Sequence, residues 1–131
     1  MGFRFEFDRT LHILLGRLDG RLTNEVLSDY YEAARKRAKA TNAKGGITDF
    51  TGVTEFAVTG EFVRQLAKRE PILPDTKRPR VVVAPKAVAF GIARMFQITG
   101  ERTRPRLMVV HTLDEALTAL GIVSLRLEPL E

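Results

Sequence analysis

Hydrophobic and polar residues alternate at the start of the chain. Phe3, Phe5 and Phe7 are separated by charged residues, and a mostly apolar run follows at residues 11–18. A period of two is typical of a strand with one buried face, whereas a continuous apolar run is typical of a strand buried on both faces. The first twenty residues therefore predict a β-hairpin.

Apolar residues recur at the spacing of amphipathic helices in four later segments. We expect these helices to begin near Thr23, Thr59, Pro85 and Thr112. The last start is the best specified, because Thr112 and Glu115 have the spacing of a capping box, in which each side chain bonds the other residue's backbone N–H. The apolar positions of the third helix are Val88, Ile92, Met95 and Phe96.

Short apolar runs lie between these helices, at residues 47–50, 80–84 and 107–110. Strands that alternate with helices are typical of βαβ crossovers. The pattern therefore predicts an α/β fold with a mixed, mostly parallel sheet of about five strands and about four helices, with the first strand antiparallel at an edge. The tail at 122–131 also alternates, which indicates an extra edge strand or a dimer contact.

The composition fits one domain over residues 1–131. Of these residues 44% are hydrophobic, enough for a continuous core. The chain has no cysteine, so disulfides and thiolate metal ligands are excluded. No apolar run is long enough to span a membrane, and the charged start does not have the pattern of a signal peptide. We therefore expect a cytoplasmic protein.

Positive charge is concentrated in one region. The chain has a net charge of +5, and residues 77–106 contain eight Lys and Arg residues against the single acidic Glu101. This region is a candidate patch for an anion, a nucleotide or a lipid headgroup, formed by Lys86, Arg94, Arg102 and Arg104. Nucleic acid is a less favoured partner, because no aromatic stacking platform accompanies the basic residues. The alternative is a solvated rim.

Four segments carry a resemblance to a known family. They are Ile47 to Val53, Val81 to Pro85, Phe90 to Phe96 and Val109 to Leu117. Their order is similar to that of the STAS domain, the fold of bacterial anti-sigma factor antagonists, and in particular to its SpoIIAA-like group. The resemblance implies a non-catalytic regulatory module that signals through a protein partner or a small ligand.

The resemblance also singles out Thr59 and Gly60. In phosphoregulated members of the family, the helix after the third strand begins with an Asp-Ser-Ser-Gly-like motif, and the residue before the glycine is phosphorylated. Thr59 occupies that position, whereas Ala57 and Val58 replace the polar residues of the motif. Thr59 is therefore either a phosphoacceptor or anion site, or a helix N-cap.

Polar residues follow three of the predicted strands. Ligands of open α/β sheets favour the crevice beyond the carboxyl ends of the strands. A pocket there would bind a small anionic or nucleotide-like ligand, and its candidate residues are Asp49, Thr51, Lys86, His111 and Thr112. Alternatively, these residues form turn bonds and caps.

Catalysis is not expected. His111 is the best candidate for a catalytic imidazole, but no nucleophile motif, phosphate-binding loop or metal-ligand pattern accompanies it. We therefore predict no enzymatic activity, no metal and no cofactor.

Overall fold

The computed structural model describes residues 2–130. Within this range it contains six strands and four helices. The strands are β1 (Phe3–Asp8), β2 (Ile13–Thr23), β3 (Gly45–Ala57), β4 (Arg80–Val83), β5 (Leu107–Val110) and β6 (Glu128–Leu130). The helices are α1 (Asn24–Thr41), α2 (Gly60–Leu66), α3 (Ala87–Thr99) and α4 (Leu113–Leu120).

All six strands belong to one sheet, in the order β5-β4-β3-β2-β1-β6. The α/β class and the N-terminal hairpin are confirmed. The prediction of five strands in a mostly parallel sheet was wrong. The sheet has six strands and is mixed, with three parallel and two antiparallel pairings, because β6 pairs antiparallel with β1. The predicted edge strand β1 consequently lies inside the sheet, and β6 takes the edge.

Strands β2 and β3 are longer than their apolar runs predict. They remain paired as far as Thr23 opposite Ala57, and their register shifts twice on the way. Strand β4 pairs with β3 only up to Asp49 opposite Val83. The β2–β3 pair therefore extends beyond the rest of the sheet as a two-stranded ribbon, and it carries polar residues that make its ends hard to recognise from hydrophobicity alone.

The two faces of the sheet bury different helices. Leu14, Leu18 and Val82 pack with α1, α2 and α3 in the larger hydrophobic cluster. Leu15 and Val83 pack with α4 in the smaller one. This division follows from the alternation of side chains along each strand. None of the helices within residues 2–130 combines the length and apolarity needed to cross a bilayer.

Threonine caps begin three of the helices, as predicted. The hydroxyls of Thr23, Thr59 and Thr112 each accept a hydrogen bond from a backbone N–H in the first helical turn. Thr112 and Glu115 form the complete capping box. The third helix differs, because Lys86 occupies the N-cap position without a side-chain bond to the backbone of the first turn.

Candidate functional site

Asp49 and Thr51 lie close together near the end of the parallel pairing. The Asp49 carboxylate accepts hydrogen bonds from the Thr51 backbone N–H at 2.9 Å and from the Thr51 hydroxyl at 2.5 Å. Its other oxygen accepts from Nη1 of Arg17 at 3.0 Å, and Arg17 also bonds Glu6. Both carboxylate oxygens of the buried Asp49 are thus engaged by protein donors.

Lys86 lies just before α3 and reaches back to the β2–β3 ribbon. Its Nζ donates to the carbonyl oxygen of Val53 at 3.1 Å, in a residue that is exposed. The contact fixes the start of α3 against β3. It leaves two donor positions of the ammonium group facing other neighbours or water.

His111 and Thr112 form the start of α4. The Glu115 carboxylate accepts from the backbone N–H groups of both residues at 3.0 Å. The imidazole of His111 stacks on the ring of Phe90, with 4.1 Å between ring centroids. The ring is therefore packed flat against α3.

The predicted crevice residues form three separate groups. Hydrogen bonds join Asp49 to Thr51, and the capping box joins Thr112 to the backbone of His111 through Glu115. No side-chain hydrogen bond within residues 2–130 links either pair to the other or to Lys86. The same residues include no group of three His, Cys, Asp or Glu side chains arranged to hold a metal ion.

Thr59 is an exposed cap that also connects two helices. Its hydroxyl accepts from the N–H of Phe62 at 3.2 Å and from Nδ2 of Asn24 at 3.3 Å. Its own N–H donates to Oδ1 of Asn24 at 3.0 Å. This reciprocal pair joins the start of α1 to the start of α2, and Thr59 is exposed.

We expect Thr59→Ala to lower the free energy of unfolding by about 1 kcal/mol, because it removes the N-cap acceptor. Urea denaturation measures the change. Thr118→Ala is the matched control, since Thr118 is exposed in the middle of α4 and alanine favours helix. Equal stabilities for Thr59→Ala and the native chain would show that the cap contributes nothing.

The predicted basic patch does not form one surface. Arg94 and Arg102 are exposed, and Arg94 donates to Oε1 of Gln97 at 2.6 Å. Arg104 is only 5% exposed. Its Nη1 donates to the Ala67 carbonyl at 2.7 Å and its Nη2 to the Tyr31 hydroxyl at 2.6 Å. Arg104 therefore joins helices inside the fold, because the carbonyl groups at the end of α2 need donors.

The outward face of α3 carries apolar side chains. Val88 is 62% exposed and Ile98 is 60% exposed. Met95, half-buried, lies between them on the same face, and Gly60 at the start of α2 is close to its Cε. The sequence pattern grouped Val88 with Ile92 and Phe96, which line the interior. Because α3 is apolar on two sides, the hydrophobic pattern could not show which side faces the core.

Sequence reasoning also missed a buried polar group at the start of β4. Arg80 is 7% exposed and bonds Thr48, which in turn bonds Tyr30. A weak signal was available, since Arg80 directly precedes three consecutive valines in a strand expected to be buried. The pattern places Arg80 both in the strand at 80–84 and in the basic region, but it does not show that the guanidinium is buried.

No family model matches the chain, and no curated protein matches it.

Proposed function

We propose that this chain is a STAS-like, SpoIIAA-like regulatory module that acts without catalysis, by binding a helical segment of an acidic protein partner. The binding surface is the outward face of α3 together with the start of α2. Such a role implies a cytoplasmic location. The observation that carries the proposal is the exposure of two large apolar residues on the outward face of α3, Val88 at 62% and Ile98 at 60%.

The outward face of α3 forms an apolar stripe with the spacing of a helix-packing seam. Val88, Gly91, Met95 and Ile98 follow one another at intervals of three and four residues, so they share one face of α3. A helix of 13 residues spans about 20 Å, which matches a partner helix of three or four turns. Exposed large apolar residues on one helix face, with Met95 half-buried between them, favour an interaction site.

The charge around the stripe selects the partner. Arg94 and Arg102 are exposed on and just beyond α3, and Nη1 of Arg64 on α2 lies 4.0 Å from Sδ of Met95. A partner helix with Asp or Glu beside its apolar residues complements these cations. A second copy of this chain would bring arginines against arginines, so a homodimer through this face is disfavoured.

Thr59 lies at the edge of this surface. A phosphate there would add up to two negative charges next to Gly60, near Arg64. We propose that phosphorylation of Thr59 weakens the attraction for an acidic partner, so that the cap also serves as a switch. Thr59→Glu is then expected to weaken partner binding, whereas Thr59→Ser, which keeps both the cap and the hydroxyl, leaves it unchanged.

A photo-crosslinking amino acid at position 88 or 98 tests the proposed surface in cells of the source organism. We expect both positions to crosslink to the same protein, at a peptide that combines helical apolar spacing with Asp and Glu. Position 118 on α4 is the control and should give no such product. Products that map to a basic or non-helical peptide would contradict the proposal.

The double variant Val88→Asp/Ile98→Asp should bind the purified partner at least about 30-fold more weakly, the loss of one strong interface anchor. The matched variant Thr118→Asp/Ala119→Asp changes two exposed residues of α4 and should bind normally. Titration calorimetry at two salt concentrations measures both effects. Unchanged affinity of the α3 variant, or affinity that does not fall with salt, would overturn the proposal.

A further inference from the structure

A cleft lies between the end of α1 and the loop at residues 73–78, which precedes β4. Its volume is about 300 Å³, within the range of small-molecule sites. Because β3 begins at Gly45 and β4 at Arg80, the cleft is at the amino ends of these strands, whereas the crevice predicted from the sequence is at their carboxyl ends. Residues of both segments line it, among them Ala38, Lys39, Ala43, Leu73, Asp75 and Arg78.

The floor of the cleft is apolar. Ala38 and Leu73 are each 3% exposed and belong to the larger hydrophobic cluster. Ala43 is partly buried and packs against the same cluster. A ligand that covers this floor gains by presenting an apolar surface to it.

Two cations and one carboxylate form the rim. Oδ2 of Asp75 pairs with Nε of Arg78 at 3.4 Å, and Oδ1 accepts from the backbone N–H of Lys77 at 3.0 Å. Within residues 2–130, neither the Nη groups of Arg78 nor the ammonium group of Lys39 has a hydrogen-bond partner. Since Asp75 is engaged by protein donors, the free charged groups of the rim are the donors of Arg78 and Lys39.

The segments that build the cleft favour an anion over a cation. Residues 33–48 contain no Asp or Glu, and Asp75 is the only one in residues 71–100. The end of α1 also offers few acceptors for a cation. The Arg37 carbonyl accepts from the Thr41 hydroxyl at 2.7 Å, and the Ala38 carbonyl accepts from the Ala43 N–H at 3.0 Å. The cleft therefore has a positive potential without free carbonyls at these positions.

Charge and volume together restrict the ligand. Two cations and one carboxylate give the lining a net charge of +1, which a monoanion balances. A carboxylate can accept two parallel N–H bonds from a guanidinium. The volume equals that of roughly ten water molecules in the liquid, so it fits a ligand of about ten non-hydrogen atoms. Inorganic phosphate has no apolar part and would leave the floor uncovered.

We propose that the cleft binds an aromatic monocarboxylate of about ten non-hydrogen atoms, with the carboxylate on Arg78 and Lys39 and the ring over Ala38 and Leu73. The cleft shares no residue with the partner surface on α2 and α3. A negative result for one of these proposals therefore leaves the other intact.

NMR titration of the full chain with sodium phenylpropionate, a probe of this size, tests the proposal. We expect saturable shifts of the backbone amides at residues 38–44 and 75–78. Phenylpropylamine has the same ring with the opposite charge, and it should cause no saturable shift there. Binding of the amine at these residues would overturn the anion assignment. Equally strong binding of inorganic phosphate would show that the apolar floor contributes nothing and would overturn the aromatic assignment.

Arg78→Gln removes the guanidinium and keeps a side chain of moderate length. We expect this variant to bind phenylpropionate at least about tenfold more weakly than the native chain, because the carboxylate loses its charged donors. Arg102→Gln makes the same change of charge at an exposed residue outside the cleft, and it should bind normally. If Arg78→Gln binds as tightly as the native chain, the proposal is wrong.

Ala43→Leu provides a second variant that leaves both cations in place. The longer side chain extends into the cleft, so phenylpropionate should again bind at least about tenfold more weakly. Ala119→Leu adds the same carbons at an exposed position of α4 and is the matched control. Unchanged affinity of Ala43→Leu would show that phenylpropionate binds elsewhere. This variant tests the cleft even where Arg78→Gln alters the loop at residues 73–78.

Discussion

Gly16→Ala is expected to lower the free energy of unfolding by about 2–4 kcal/mol. A Cβ at position 16 would lie 2.2 Å from the hydroxyl oxygen of Tyr30 and 2.6 Å from its Cε1. Tyr30 is buried, and its ring stacks on Phe5 with 5.4 Å between centroids. The ring cannot move away without losing that packing and its hydrogen bond to Thr48.

Gly46→Ala is the matched control for this prediction. Gly46 lies on the neighbouring strand, and a Cβ there would meet Cγ of Arg80 at 3.5 Å, an ordinary contact. Urea denaturation of both variants should show a loss of at least about 2 kcal/mol for Gly16→Ala and less than about 1 kcal/mol for Gly46→Ala. Similar losses would show that a general glycine effect, and not the tyrosine, is responsible.

Tyr30→Phe separates the clash with the hydroxyl oxygen from the clash with the ring carbons. It removes the hydroxyl oxygen, the atom closest to the new Cβ, but leaves the ring carbons within 2.8 Å. Gly16→Ala should therefore lower the free energy of unfolding by less in the Tyr30→Phe chain than in the native chain, but still measurably. Strictly additive changes would indicate that the alanine acts elsewhere.

The helix starts could be predicted because capping is local chemistry. A threonine before an apolar periodic segment needs only its own first turn to act as a cap, and Thr23, Thr59 and Thr112 all do so. The same argument explains why Gly121 ends α4 with a positive φ of 72°. These features are encoded within five or six consecutive residues.

Strand boundaries depended on distant partners and were harder to predict. Strand β3 continues to Ala57 because β2 runs alongside it, and β6 forms because β1 offers a free edge. The alternation of the tail at 122–131 indicates an edge strand, but the strand that it pairs with is not visible within the local sequence window. The sheet was therefore predicted too small and too uniformly parallel.

Burial of charged residues was the main obstacle at the candidate site. In the sequence all four arginines belong to the same basic region. In the folded chain Arg80 and Arg104 are buried, whereas Arg94 and Arg102 are exposed, and only tertiary packing distinguishes the two pairs. An arginine becomes buried where backbone carbonyls or hydroxyls can accept its donors. Those acceptors come from α1, α2 and β3, far away in the chain.

Asp8→Ala is expected to lower the free energy of unfolding by about 3 kcal/mol at neutral pH. The Asp8 side chain, in a residue only 2% exposed, accepts backbone hydrogen bonds from Thr10 at 2.9 Å, Leu11 at 2.8 Å and Arg126 at 2.7 Å. The first two hold the hairpin turn, and the third ties the chain before β6 to β1. Hydrogen exchange should accordingly show lost protection at residues 126–130.

The same contacts give Asp8 a defined pH dependence. The backbone N–H of Arg126, followed by that of Leu11, lowers the pKa of Asp8 below its usual 3.8. Because the folded-state pKa is the lower one, the stabilisation is fully present above about pH 4 and is lost as the pH falls through the folded-state value. The stability difference between the native chain and Asp8→Ala should therefore shrink in urea titrations below pH 3.8.

Asp19→Ala is the control, since the Asp19 carboxylate pairs with Arg4 at the surface. This change should alter the free energy of unfolding by no more than about 1 kcal/mol. A difference between the native chain and Asp8→Ala that stays constant from pH 7 to pH 2 would show that the carboxylate charge is not what holds the tail.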